Sequence, residues 1–437
     1  MPKPVLTPFT LLALWMVATP LVAQSSAKGI VPFEEFRNSI GGADFAVSLN
    51  ARDARVTDRA AFEEMRQHLL GLYSGMEVRQ SLLLEGDVFD CIPIEQQPSV
   101  RLGGIVRIAE PPVLPAAGPA AWNKGSIPQA TQALEGQPIL GKSAECEDGT
   151  IPMRRVTLEE MTRFPSLRAY LSKSPDESAP ETIPSEDPCT GNCPHKYSYT
   201  LQSVANHGGN SALAVWSPPV DTTIGEIFSL SQEWYVGGTG DATQTVETGW
   251  QNYPALYGDN RSRLFIFYTP DNYKTGCYNL TCKAFVQTSK TVFLGGAFNA
   301  YSAPGGPARE FEIAAYLSGG NWWLFHNNVA FGYYPGSLYN KGAMATGSSL
   351  IEYGSESTQS GGTWPPQGSG AWSNTGYGKA AYQRSLYYYD NTNTSVWDTL
   401  KPQQPSPNCY TITGPKYGTG NGWGIYFFEG GPGGANC

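Results

Sequence analysis

The residues of this chain that could do chemistry are most informative in its C-terminal half, where the usual nucleophile constellations are missing. No G-x-S-x-G elbow, H-E-x-x-H pair or phosphate-binding loop occurs. A Ser-His-Asp arrangement would need His207, His326 or, at the edge of this half, His195, and His326 in WWLFHNNVAF reads as a histidine packed among aromatics. Carboxylates are the better candidates because they are scarce here, among them Glu247 in TVETGW and Glu352 and Glu356 in IEYGSES. Two carboxylates held close together cannot both ionise cheaply, so such a pair keeps one proton over an acidic range and can act as base and acid on a water and a carbonyl. Gln232 in FSLSQEW is a further candidate, since an amide can donate to an oxyanion and accept from a water. An isolated glutamate or glutamine on a strand is ordinarily a solvated face residue, so these residues alone leave the choice open.

The elements that must position them change along the chain. Lys3 followed by the apolar run from Phe9 to Ala23, with Leu21-Val22-Ala23 before Gln24, reads as a signal peptide over residues 1–23 and is too short to span a bilayer well. Residues 24–171 read as a small α+β unit. An amphipathic helix between Asp53 and Met76 carries Val56, Ala60, Met65, Leu69 and Leu72 at helical spacing. Strand-like alternation follows in QSLLLEGDVFDCIPI and VRLGGIVRIAE, and a loop from Pro111 to Pro128. Residues 172–194, rich in Pro, Ser and acids and without an aromatic residue, form an exposed linker open to proteolysis. From residue 195 to 437, runs rich in β-branched and aromatic residues recur between Gly, Asn and Pro punctuation. This predicts a mainly β fold, an antiparallel sandwich or jelly roll.

Eight cysteines behind an export signal favour disulfides over metal ligation, and with four histidines in the whole chain no metal or other cofactor is expected. Position suggests Cys91 with Cys146, Cys189 with Cys193, Cys277 with Cys282 and Cys409 with Cys437. A net charge of -9 with 15% charged residues argues against nucleic acid as a partner, and low charge density suits an acidic compartment. A secreted, extracellular or periplasmic monomer, free of the membrane once its signal is removed, is the expectation.

Read in order, FSLSQEWYVGG, TVETGWQNYPALYGD, RLFIFYTPDNYKTGCYNLTCKAFVQ, GNWWLF, GYYPGSLY, IEYGSES and WGIYFFEGGPGGANC resemble the neprosin family of glutamic peptidases, and upstream GDVFDCI and CEDGTIPMRR resemble its pro-segment. The resemblance implies a secreted zymogen, activated in acid, that cuts peptide bonds after proline with two glutamates on a β-sandwich. Carried over by motif, these are Glu247, the expected base, and Glu356, preferred to Glu352. Thr248 and the run Tyr353-Gly354-Ser355 depart from the usual family pattern and bear on substrate preference. Aromatic walls for a proline ring are sought in Trp250, Tyr253, Trp323 and Trp364. Partners are therefore proline-containing peptides or proteins, and the prolines of the linker, Pro175, Pro180, Pro184 and Pro188, offer self-cleavage sites. A lectin-like sandwich or a glycoside hydrolase working with the same carboxylates is the alternative. The pro-segment is expected to cover the cleft, although no residue of it stands out as the plug.

Overall fold

The computed structural model describes Met1 and residues 29–51, 53–115, 118, 144–173, 184, 195–418 and 423–437, together with the backbone of 131–133. The expected signal peptide, most of the linker and the Cys189, Cys193 pair lie outside the described residues. Among the described residues no helix is long and apolar enough to cross a membrane.

The N-terminal unit is built from helices α1 (Phe33–Gly41), α2 (Arg59–Tyr73), α3 (Leu158–Thr162) and α4 (Leu167–Leu171) beside a small antiparallel sheet of β1 (Gln80–Leu84), β2 (Asp87–Pro93) and β3 (Thr150–Arg154). Asp58 caps α2 by accepting from the Ala61 N–H at 3.0 Å, which offsets one of the unpaired donors of a helix start. Phe62, Met65, Leu69, Leu72 and Tyr73 form the buried stripe of α2, so the amphipathic reading holds, although Ala60 is exposed and Val56 is buried just ahead of the helix. The turn between β1 and β2 uses Glu85 and Gly86, both at positive φ, as a tight hairpin requires. VRLGGIVRIAE, read as strand-like, is not a strand: Val100 and Arg101 end a short helix, Pro98–Arg101, and the chain then runs irregularly from Leu102 to Pro115. Its alternating apolar residues serve a different surface, taken up below.

The C-terminal unit consists of two antiparallel sheets. In chain order its main strands are β4 (His195–Asn206), β5 (Gly208–Ala214), β6 (Glu226–Gly237), β7 (Gln244–Asn252), β8 (Ser262–Thr269), β9 (Ala308–Ser318), β10 (Asn321–His326), β11 (Val329–Pro335), β12 (Ser348–Gln359), β13 (Ala381–Tyr389) and β14 (Gly424–Gly430). The first sheet runs β8-β7-β6-β12-β4, extended by Cys277–Tyr278 beyond β8 and Lys401–Gln403 beyond β4. The second runs β11-β10-β9-β5-β13-β14, with Val286–Gln287 and Thr411–Ile412 at its ends and shorter strands along its sides. Successive side chains of a strand point to opposite faces, so each sheet gives one face to the layer between them. There Trp322 stacks on Tyr235 with centroids 6.1 Å apart, and the indole of Trp250 donates to the Ala214 carbonyl across the sheets at 2.9 Å. The mainly β sandwich is therefore as expected.

Disulfides join Cys91 to Cys146 and Cys277 to Cys282. The expected bridge between Cys409 and Cys437 is not made, and both are thiols. Their sulfurs lie within hydrogen-bonding reach. The chain end is held there by the pairing of Gly434 with Trp364 and by packing of Cys437 against Trp364, Cys409 and Tyr410, which brings the sulfurs together without a bond.

The two units share one continuous apolar core. Polar contacts tie them as well: Arg263 pairs with Asp87, and Gln97 and Gln287 exchange side-chain and backbone hydrogen bonds at 3.0 and 2.7 Å.

Candidate active site

The outward face of the first sheet carries the candidate residues. Gly249, Gln232 and Gly354 stand abreast on β7, β6 and β12. Glu247 lies one pleat from this row, opposite Trp234, and Glu356 one pleat away in the other direction, opposite Leu230 and Tyr197. The two glutamates thus flank Gln232 diagonally. The glycines beside Gln232 are required by space. A Cβ on Gly249 would stand 2.1 Å from the Ser231 carbonyl oxygen and 2.8 Å from the Gln232 Cβ, and one on Gly354 would stand 2.3 Å from the Ser198 oxygen. With no side chain on either neighbour, the Gln232 amide extends between the carboxylates, its Nε2 3.2 Å from Glu247 Oε2 and 3.5 Å from Glu356 Oε2.

Both glutamates are fully buried. What buries them is Lys173, two residues beyond α4 in the N-terminal unit. Its Nζ donates to Glu247 Oε2 at 2.7 Å and to Glu356 Oε2 at 2.8 Å, and is itself inaccessible to solvent. Sharing one donor, those oxygens are at most 5.5 Å apart, the two contacts laid end to end. The ammonium also lies 5.4 Å from the ring centre of Trp234, adding a cation–π contact.

The outer oxygens differ in their partners. Glu247 Oε1 accepts from the Thr245 hydroxyl at 2.7 Å and the Tyr273 hydroxyl at 2.8 Å. Glu356 Oε1 meets His195 Nδ1 at 2.7 Å. Burial by itself pushes the Glu356 carboxyl up, but the Lys173 charge and the His195 contact outweigh it and hold the group below the ordinary carboxylate range. Two atoms facing this cluster have no hydrogen-bond partner among the described residues, Gln232 Oε1 and His195 Nε2. Glu352 is on the same face, fully buried and level with Trp234.

Of the expected aromatic walls, only Tyr253 belongs near this face. Its ring is 5.4 Å from that of Phe228, a cleft-face residue of β6, and 5.9 Å from Phe164 of the N-terminal unit. Trp250 points the other way, into the layer between the sheets, because it is an odd number of residues from Glu247 on one strand. Trp364 sits with Cys409 and Tyr410, its ring 4.8 Å from the ammonium of Lys196. Trp323 is on the second sheet, facing away from the sandwich interior. These three are not walls of the glutamate cleft. His326 is a packed histidine as read, 6.3 Å from the Phe311 ring and pushed down to about 4 by burial.

Sequence reasoning missed Lys173, Thr245, Trp234 and Tyr273, and weighed His195 only as a histidine for a Ser-His-Asp triad. A signal existed for Thr245 and Trp234, since period two puts them on the faces of Glu247 and Gln232. Lys173 lies within the stretch read as an exposed linker yet is fully buried, His195 follows that stretch, and nothing local tells that both converge on one carboxylate.

Among proteins of known family, residues 225–432 match the family model of neprosin, which bears out the resemblance read in the sequence. Among solved structures, the chain is similar to the crystal structure of Scytalido-glutamic peptidase with a peptide based transition state analog. The identity is 10% and the TM-score 0.30, over 55% of this chain and 99% of that one.

Proposed function

We propose that the neprosin domain of residues 225–432 is the working part of a glutamic endopeptidase, made as a secreted latent precursor and active in acid on bonds following proline. The family match supports a glutamic peptidase. The observation that carries the reading on this chain is the shared grip of one buried lysine on Glu247 and Glu356, with Gln232 between them. Two carboxylates this close, once the ammonium leaves, have reason to share a proton.

In the mechanism Glu247 is the base. Two hydroxyls, Thr245 and Tyr273, donate to its outer oxygen and hold the carboxylate in place. It takes a proton from a water set against the scissile carbonyl. Glu356, carrying the shared proton, polarises the carbonyl oxygen and then protonates the leaving nitrogen, while the Gln232 amide orients the water or steadies the oxyanion. Trp234, Phe228 and Tyr253 are the aromatic surfaces on this side that suit a proline ring.

Lys173 is the plug of the precursor. Cleavage in the linker just downstream, after Pro175, Pro180, Pro184 or Pro188, would cut the N-terminal unit free, and protonation of the carboxylates in acid would loosen the ammonium's hold. The direct experiment is an assay of acid-treated protein on proline-containing peptides and on β-glucans, at acid and neutral pH, with N-terminal sequencing of the product. Peptide cleavage in acid, lost in both Glu247→Gln and Glu356→Gln, is expected. Cleavage retained in either variant removes that glutamate from the mechanism, and glucan hydrolysis would replace the peptidase reading altogether.

A further inference from the structure

The outer face of the second sheet, on the far side of the sandwich from the glutamates, is unusually aromatic. Tyr316 on β9, Trp323 and Phe325 on β10, Tyr333 on β11 and Tyr387 and Tyr389 on β13 form one cluster there, separate from the main core. Trp323 and Tyr333 rings are 4.6 Å apart, and Tyr316 and Tyr389 rings 5.0 Å. Trp323 is only 1% exposed and Tyr333 2%, although no layer of the C-terminal sandwich lies over them. The cover is a strap from the N-terminal unit, Gly104 to Pro115, reading GIVRIAEPPVLP. Its Ile105, Ile108, Ala109 and Leu114 pack on the cluster, while Val106, Arg107 and Glu110 point to solvent.

How the strap is held matters. Among the described residues it forms no backbone hydrogen bond with the sheet. Among the described residues its polar anchor to the sheet is the Ala109 N–H, which donates to the Tyr333 hydroxyl at 3.0 Å. Apolar side chains at intervals, a backbone without helix or strand, a proline pair and an N–H read by a tyrosine are the terms on which aromatic grooves take up proline-rich peptides. Further along, the backbone of Thr131–Ala133 adds a parallel strand beside Ala308–Glu310, so the strap is not the N-terminal unit's sole hold on this sheet, which Gln97 also meets at Gln287. The disulfide Cys91–Cys146 closes within the N-terminal unit and does not bind the strap to the sandwich.

We propose that this face is a second peptide-binding site, for an extended apolar stretch containing proline, and that the precursor keeps it filled with its own strap. Resting on the reading that the N-terminal unit leaves on activation, the site becomes free at the same moment as the catalytic cleft. It then holds a distant part of a long proline-rich substrate while another part is cut. Trp323 thus recognises substrate, though on the opposite side of the molecule from the glutamates.

The test of binding needs no catalysis. In the full chain, Ile105, Ile108 and Leu114 are changed to Ser to loosen the strap, and a fluorescein-labelled GIVRIAEPPVLP peptide is titrated while anisotropy is followed. The loosened chain should bind at least tenfold more tightly than the unaltered one, whose site is occupied. Adding Tyr333→Phe, which keeps the ring and removes only the acceptor, should weaken binding several-fold, and a scrambled peptide of the same composition should bind at least tenfold more weakly. No binding to a loosened chain whose strap has become open to protease overturns the proposal, as does equal binding of the scrambled peptide. Concentration-dependent dimerisation without peptide binding would make the face a contact between copies instead. The role in capture is read with acid-activated protein: excess strap peptide should slow cleavage of a long proline-rich polypeptide and spare a short peptide. Slowing both would put the strap peptide in the catalytic cleft and overturn the capture role. An inactive protein that still binds the peptide would count against the peptidase reading alone.

Discussion

Lys173 concentrates the energetics of the contact between the two units at one atom. A buried ammonium between two buried carboxylates has lost its hydration, and so have they, so each is tolerated only because the others are present. Replacing Lys173 with Met takes the shared cation from two buried carboxylates and should cost the chain about 3–5 kcal/mol at neutral pH. The sign of the pH dependence follows from Glu356, whose carboxyl is held down by Lys173 and His195 against the upward push of burial. A depressed carboxyl contributes stability above its unfolded value, and that contribution disappears as pH falls through the folded one. The difference between the native chain and Lys173→Met should therefore shrink in strong acid, where protons replace the ammonium. Denaturant titrations at pH 7 and pH 3 measure it, and an equal loss at both would mean that Lys173 acts by packing alone. In the sequence this lysine was one polar residue at the edge of an acidic linker, and the glutamates it grips were legible only through the family motifs around them.

At the level of elements, the strands place the site by register and the glycines make it possible. Gly354 faces the Ser198 carbonyl oxygen and the Tyr199 Cα of β4, which a Cβ would meet at 2.3 and 2.6 Å. These are backbone atoms of a central ladder and cannot rotate away. Gly354→Ala should force β4 and β12 apart, at a cost of about 3 kcal/mol, or a melting temperature lower by roughly 6–12 °C. An unchanged melting temperature would show that the ladder yields more readily than its hydrogen bonding implies. The motif IEYGSES thus combines a carboxylate with the space its neighbour needs, a link the linear sequence does not explain. Period-two alternation did decide the face of Trp250, and the aromatic reading went wrong by looking at residue type without counting from Glu247. The same oversight made the strap look like a strand, because alternation also arises when a chain lies along an apolar surface without joining its ladder.

For the molecule as a whole, the layer between the sheets contains carboxyl groups on the opposite side of the first sheet from the glutamate pair. Burial pushes Glu429 up to about 7 and Asp398 up to about 8, and burial with the nearby Asp398 charge raises Glu233 well above the usual range. Each is neutral in the folded protein at acid pH. Groups raised on folding contribute stability that is complete below their unfolded values and is lost as pH rises through the folded ones, so the chain should grow less stable between about pH 5 and 8. Glu429→Gln should flatten this decline, Glu429 alone accounting for about 3 kcal/mol of it. Thermal unfolding from pH 5 to 8 provides the check, and a native chain as stable at pH 8 as at pH 5 would contradict it. The window lies above the acid range in which the Lys173 contribution should fade, so that contact can weaken while the sandwich remains at its most stable. Sparse charge in the sequence suggested an acidic setting on weaker grounds, since it spoke only for the surface.

By itself the sequence determined the composition-driven features: a β-rich C-terminal unit, a smaller helical and β unit ahead of it, the bridges Cys91–Cys146 and Cys277–Cys282, and, through the neprosin motifs, which glutamates to watch. These depend on periodicity and local chemistry, which a linear chain displays. Only the tertiary structure decided that Lys173 and His195 meet those glutamates, that Cys409 and Cys437 touch as thiols, that Trp250, Trp323 and Trp364 lie outside the cleft, and that Gly104–Pro115 covers an aromatic face. Contacts of that kind join residues tens to hundreds of positions apart. They depend on which faces two sheets turn toward each other, and no spacing within a single segment encodes it.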